Sequence, residues 1–368
     1  NLVFAYDTGD VSNSYKGEPT VNQYTNPDFT NGTTGWSFAS WDGNVTYGTD
    51  NVVGPFGKTI PVLKLTKNAT SAYSHFHQYN NSKYTIGNQY TQSAWVKGFG
   101  TLDGRSHWGG NVSFTLTGEW QYVSYTVTAT TSASYNFPYW AAEALTAGTL
   151  MYMVYAQSEQ KTHATPFVAG TRSTTQGLLP LVGNSTVDLS NVSFDANAKM
   201  VFDGTNDTIS VNSYPAIELV DNVSIEYIYK RLSTDPVLDI IANKYSNTGW
   251  ELFCTTGNTF ALAGRNGDGT YYSMSNAAYT IQNNKFYHVI AMKEGLSWRL
   301  YVDGALYAYL TANSVGTWSN TGVLQIGGEG NGYYPNMELP VFKIYNKALT
   351  AQEVKQNYQQ YKTRFNLS

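Results

Sequence analysis

The chain has 368 residues, room for two β domains of ordinary size, and its charged share is only 13% against 15% aromatics. A formal net charge of −4 with no basic run excludes a nucleic-acid partner held by its phosphate backbone. No apolar run approaches the roughly 18 residues that cross a membrane as a helix, and the lone Cys254 has no partner for an internal disulfide and reads as a small buried strand residue.

The opening NLVFAYDTGD lacks the charged and long apolar segments of a secretory leader and has no initiator methionine, so the chain is expected to start within a longer or processed polypeptide. Leu2, Phe4 and Tyr6 alternate with Val3 and Ala5, which predicts a strand with no partner nearby in sequence. From residue 23 to 173, alternating runs (YTQSAWVKGF, GEWQYVSYTVTA) recur at short intervals between Gly, Asn and Thr clusters, a sandwich pattern and not a βαβ one. In MVFDGTNDTISV, Met200, Phe202, Ile209 and Val211 flank the polar turn Asp203–Asp207, and Asp-Gly between apolar runs predicts a hairpin. The remainder reads as β up to PVFKIYNKAL, with a second hairpin signal at Asp303-Gly304. Thr350 and Glu353 then form a capping box, and Val354, Tyr358, Tyr361 and Phe365 fall on one face of a C-terminal helix.

Several of these phrases carry a resemblance. The "FDG-x-x-D" turn at 202–207 and the "IYN-x-A-L-T-x-x-E" ending at 344–353 resemble the concanavalin A-like, laminin G-type jelly rolls of bacteriophage virion proteins. One departure is Asn336-Met337-Glu338-Leu339, where that family has a Gly-rich strand entry. Asn26, Phe29 and Trp36, the strand Tyr90–Lys97 and Gly118–Ser124 resemble carbohydrate-binding modules attached to xylanases, and the resemblance implies that Trp36, Trp95 and Trp120, at motif positions where such modules place core residues, serve packing. Gln157, Glu159 and Ala164–Phe167 resemble tail-associated phage proteins. The fold class expected is therefore all-β, two β-sandwich jelly rolls with a short C-terminal helix. Residues 1–22 plus 174–368 would form the laminin G-type jelly roll, and 23–173 an inserted carbohydrate-binding-type sandwich. Leu2–Tyr6 would then pair within the C-terminal sandwich, beside Val341–Tyr345. The alternative is two domains in series. The resemblance also allows a structural calcium at Asp203 and Asp207; the alternative is that both side chains cap their own turn.

Glycosidases need two carboxylates across a cleft, and the nearest set, Glu218, Asp221 and Glu226, does not share a strand face in a way that supplies them. Glu119, Glu143 and Glu159 are isolated, and no nucleophile elbow, phosphate loop or zinc-helix motif occurs. His75 and His77 share one strand side without an identifiable third metal ligand. Aromatic surface remains. Trp41, Trp108 and Trp140 lie in Gly-, Asn- or Pro-rich surroundings, and Tyr73, His75, His77 and Tyr79 alternate onto one side of a strand that Trp108 or Trp140 could complete. Arg265, Asp268, Tyr271, Tyr272, Trp318, Tyr333 and Tyr334 are analogous loop candidates in the jelly roll; ordinary loop packing is the competing reading for all of them. The function expected is a non-enzymatic glycan-binding adhesin at a virion surface. Its partners would be host-surface glycans and other virion proteins, it would act as a multivalent homo-oligomer such as a trimer, and it would neither bind nucleic acid nor insert in a membrane. A structural virion spacer and a glycoside hydrolase are the alternatives.

Overall fold

The computed structural model describes residues 2–70, 73–78, 84–130, 138–183, 185–195, 199–212, 215–218, 221–233, 238–246, 248–265, 269–313, 318, 321–329 and 332–368. The chain separates into a discontinuous unit, Asn1–Glu18 with Ser173–Ser368, and a continuous unit, Pro19–Arg172.

In the discontinuous unit, two antiparallel sheets supply the core. One runs Ser193–Phe194, Met200–Asp203, Asn336–Tyr345, Asn222–Arg231, Phe286–Glu294, Ser297–Val302, Ala305–Thr311; the other runs Val187–Ser190, Thr208–Val211, Leu324–Ile326, Asp239–Ser246, Thr248–Cys254, Phe260–Arg265, Tyr271–Ser275. The N-terminal strand Leu2–Asp7 joins the first sheet along Asn336–Tyr345, with Phe4 opposite Ile344 and Tyr6 opposite Phe342, the pairing expected for it. It shares that edge with Met200–Asp203, which pairs with the start of the same strand at Met337 and Asn336. The departure at Asn336–Leu339 thus remains strand. Pro340, which has no amide to donate, sits where the ladder slips: Ile228 to Lys230 spans the same length as Val341 to Glu338.

Asn222–Arg231 is buried almost throughout because both faces of its sheet are covered. Ile225, Tyr227 and Tyr229 enter the core between the sheets. Ile228 meets Tyr358 and Tyr361 of the C-terminal helix Ala351–Phe365 on the other face, and Ile290 and Met292 meet Val354. The helix opens with the expected capping box, in which Thr350 accepts the Glu353 amide at 3.2 Å and Glu353 accepts the Thr350 amide at 2.9 Å. It closes with Asn366 in the left-handed region at φ 50°.

Asp203–Asp207 is not a hairpin turn. Its two flanking strands belong to different sheets, so the turn is a corner of the sandwich that delivers Phe202 and Ile209 to one core from opposite sides. Asp203-Gly204 therefore supplies the bend but not a two-strand ladder. By contrast, Asp303-Gly304 closes a two-residue hairpin between Val302 and Ala305, with φ of 49° and 78°.

The continuous unit is a second sandwich of two five-stranded sheets. One is ordered Gln121–Thr128, Gln89–Lys97, Thr149–Glu159, Thr59–Lys67, Val45–Val53; the other Ser37–Ser40, Ser74–His77, Pro138–Ala141, Phe99–Ser106, Asn111–Thr117. Phe29, Trp36, Leu65, Phe76, Val96 and Trp140 lie in the core between them. Each such large side chain contributes about 1.5–3 kcal/mol by leaving water.

Candidate functional site

The first sheet of the continuous unit carries an aromatic cleft of about 580 Å³ on its outer face. Alternation produces it. In Gln89–Lys97, Ala94 and Val96 point into the core, so Trp95 stands on the opposite face, and on the neighbouring strand Tyr122 faces it directly while Val123 turns inward. The Trp95 and Tyr122 rings lie 5.6 Å apart. Phe56, at the tip of the hairpin that Gly54 and Gly57 allow, meets Trp95 edge-on at 5.4 Å. Phe56 is 66% exposed and Tyr122 46%, an unusual amount of aromatic surface to leave in water.

A bulge adds the next ring. Between Val154 and Gln157 the strand takes three steps against the two from Trp95 to Ser93. Tyr155 sits in that bulge at φ 53°, a left-handed conformation that costs a bulky residue about 1–3 kcal/mol. The distortion places its ring 5.9 Å from Phe56 and 4.9 Å from Phe167. Phe167 and Pro166 form the far wall, and that wall is fastened from behind. The fully buried Glu159 carboxylate accepts the Thr165 amide (2.8 Å), the Thr165 hydroxyl (2.8 Å), the Thr20 hydroxyl (2.7 Å) and the Gln157 side-chain amide (2.8 Å). Gln157 accepts the Val168 amide at 2.8 Å, and Arg172 donates to the Pro166 carbonyl at 3.0 Å. The phrase Gln157-x-Glu159…Ala164–Phe167 is thus a brace and the wall it holds. Burial raises the Tyr122 phenol above its ordinary pKa, a hydrogen bond with Ser93 partly opposing, so it stays a neutral donor.

Trp95 therefore departs from its assignment to packing. The signal was its own strand, because Trp95 shares a face with Thr91, Ser93 and Lys97, the polar side of the alternation. Trp36 is a core residue as expected, and Trp120 is half-buried with its indole N–H on the Val53 carbonyl at 3.0 Å.

The other sheet receives most of the expected site. Trp41 is 80% exposed and stacks on Tyr73 at 3.9 Å; Tyr73 meets His75 at 4.9 Å, and His75 lies 5.1 Å from His77. The two imidazoles share a strand side but are buried, so they do not form a solvated face. Burial lowers the His75 pKa to about 4 and the His77 pKa to about 3, with nearby imidazoles adding to it. Trp140 is a correction. It is fully buried, packs edge-on against Tyr125 at 5.0 Å, and belongs to the core. The Gly104 opposite it leaves room, since a Cβ there would lie 2.2 Å from the Tyr125 ring. Trp108 is half-buried and packs against Tyr84 and Tyr90. Tyr79 lies outside the described residues.

In the discontinuous unit, Glu226 is fully buried beneath the C-terminal helix and accepts from His288 (2.9 Å), Tyr345 (2.5 Å) and Asn357 (2.9 Å). Burial would raise its carboxyl pKa; the His288 hydrogen bond, with Lys343 and Tyr345, outweighs that and leaves it low. Its carboxylate is fully buried and is not presented to an open cleft. Asp221 lies 3.5 Å from the Lys293 ammonium. At the corner turn, Asp207 accepts the Asp203 amide at 2.7 Å and Asp203 accepts the Thr205 amide at 2.8 Å. Both carboxylates cap their own turn, and no set of three or more His, Cys, Asp or Glu side chains gathers among the described residues, whereas calcium takes about 6–8 oxygens. These two residues do not make up a calcium site by themselves.

Residues 203–355, from this corner to the first turn of the C-terminal helix, match the concanavalin A-like lectin/glucanases superfamily. The discontinuous unit carries a concanavalin A-like, laminin G-type domain. No curated protein sequence matches the chain. Among solved structures it is similar to the binding domain of Paraclostridial Mosquitocidal Protein 1, at 16% identity and TM-score 0.44 over 50% of this chain and 49% of that one. It is similar also to the receptor binding domain of botulinum neurotoxin C/D mosaic serotype (18%, TM-score 0.42, 50% and 49%) and of botulinum neurotoxin D (17%, TM-score 0.43, 51% and 51%). The chain spans about half the length of these structures.

The loop candidates of the laminin G-type domain are only partly brought together. Arg265 and Tyr271 are cross-strand partners, and Arg265 donates to the Tyr245 hydroxyl at 2.7 Å and the Gly269 carbonyl at 2.8 Å. Tyr272, on the next position, packs toward Trp298. Trp318 is a correction, buried edge-on against Trp298 at 4.7 Å. Tyr333 packs beside Ile240 and Phe253, and Tyr334 lies against Gly328. Asp268 is outside the described residues.

Proposed function

We propose that the chain is a non-enzymatic glycan-binding adhesin, displayed at a virion surface of the kind its motifs resemble, and that the aromatic cleft of the continuous unit holds the sugar. The observation that carries this reading is the cleft's construction: exposed rings on adjacent strands, one of them turned outward by a strained bulge, and a braced wall opposite. Flat apolar faces beside phenol hydroxyls suit the two sides of a pyranose. Binding is favoured over hydrolysis because the described lining contains no carboxylate, and hydrolysis needs a pair about 5–9.5 Å apart. Each ring contributes about 0.5–1.5 kcal/mol beyond area burial, so one site is weak and useful adhesion comes from several linked copies.

The test is a glycan array of host-surface polysaccharides probed with the whole chain and with Trp95→Ala. Trp95 is only half-buried on an outer face, so the variant should keep its thermal transition and lose retention on the array. Loss in Trp41→Ala instead would move the site to the Tyr73 face. No glycan retained by the unaltered chain would favour the structural-spacer reading.

A further inference from the structure

We infer that the moiety entering the aromatic cleft is an acetyl group on a neutral sugar, an acetamido or O-acetyl substituent, and not a fully hydroxylated or acidic ring. This rests on the glycan-binding reading of the same cleft. Phe56, Trp95, Phe167 and Pro166 offer carbon, and Ala164 adds a methyl. The described lining includes no lysine, arginine, aspartate or glutamate, so an acidic sugar would surrender its hydration with no cation in the lining to receive it. Thr165, whose hydroxyl could serve a ligand, directs it to Glu159 at 2.8 Å and receives Arg172 at 3.0 Å. The polar side-chain atoms that a ligand can meet are the phenol hydroxyls of Tyr155 and of Tyr122, the latter also hydrogen-bonded with Ser93.

A bare hexose presents several hydroxyls, each needing a partner when it leaves water. Two phenols cannot provide that for a ring pushed among five aromatics. An acetyl group has a different demand. Its methyl needs only close carbon contact, and its carbonyl accepts one hydrogen bond, which a neutral phenol can donate. The braced wall serves the same chemistry: a group as small as a methyl gains from contact only if the surfaces around it do not yield, and Glu159, Gln157 and Arg172 hold Pro166 and Phe167 in place. The volume, about 580 Å³, lies within the roughly 300–1,000 Å³ of small-molecule sites and is ample for the substituent, with its parent ring at the solvent edge of the cleft where the ring hydroxyls keep their water.

Matched ligands isolate the substituent. Chitopentaose and cellopentaose share a β-1,4-linked glucose backbone and differ in carrying an acetamido or a hydroxyl group at carbon 2. Acetylated xylan and other O-acetylated bacterial polysaccharides, each split into a native and an alkali-deacetylated half, extend the comparison to esters. Titration calorimetry and affinity electrophoresis with the whole chain should show the acetylated member of a pair bound about tenfold or more tightly, the discrimination that one well-packed methyl supplies. Trp95→Ala and Phe167→Ala should remove the difference. Equal binding of both members, still abolished by Trp95→Ala, overturns the acetyl assignment and leaves the glycan-binding reading standing. Tighter binding of the deacetylated member does the same. No binding to any member of the panel or to the host glycan array overturns both.

Discussion

Each unit contains a fully buried glutamate held by several donors, and the two do opposite things. Glu226 accepts from His288 and Tyr345 on strands and Asn357 on the C-terminal helix, so it ties a helix over a sheet and closes that face to water. Glu159 accepts from Thr20, Gln157 and Thr165, so it ties a loop at the margin of a sheet and leaves the aromatic face beside it open. A buried carboxylate is expensive unless every lone pair is used, and once used it specifies one geometry for whatever it holds. What is held decides the outcome. In the laminin G-type domain the second face becomes core, while in the continuous unit it becomes a place for a ligand.

The largest effect is expected at Glu226. Glu226→Ala leaves the His288, Tyr345 and Asn357 donors facing a void and should cost about 3–5 kcal/mol, seen as lost hydrogen-exchange protection in Ala351–Phe365 and the strands beneath it. Ligand retention by the continuous unit should not change; if it does, the two carboxylates are not the separate devices described. Glu159→Ala should cost less, about 1–3 kcal/mol for the unpaired Thr165 and Gln157 groups, and should weaken ligand binding about tenfold as the Phe167 wall loosens. Full affinity in that variant would mean the wall does not need its brace.

The smallest effect is a divergence with pH. His75 and His77 have pKa values pushed below 6.5, to about 4 and about 3, so their contribution is complete above pH 6.5 and is lost as pH falls toward 4, where the unfolded chain takes up protons that the fold refuses. Asp207 has its pKa raised by burial from 3.8 to about 6, so its contribution is complete below 3.8 and is lost as pH rises through 6. Between pH 7 and 5, exchange protection should fall around Ser74–His77 and rise around the Asp203–Asp207 corner. His77→Gln should roughly halve the first trend, leaving the His75 share, and Asp207→Asn should flatten the second; parallel slopes in the two places would contradict both assignments.

Local chemistry was legible in the sequence wherever neighbours in the chain are neighbours in space. The alternation of Leu2, Phe4 and Tyr6, the Asp303-Gly304 turn, the Thr350–Glu353 capping box and the helical face of Val354, Tyr358 and Tyr361 are all of that kind, because period and cap geometry are set within a few residues. Sandwich class followed from the same periods. What only tertiary structure decided is which side of an element meets the core and which partner it takes. Asp203–Asp207 has the composition of a hairpin turn, yet its strands pair in different sheets, with Asn336–Tyr345 for one and with Val187–Ser190 and Leu324–Ile326 for the other. Trp140, in a loop-like setting, is core, while Trp95, in a strand, is surface. Tyr155 reaches the cleft only through one extra residue in a ladder, an insertion visible only against the partner strand. Period two divides a strand into two faces with equal claim to the interior, and the packing of the other sheet makes the choice.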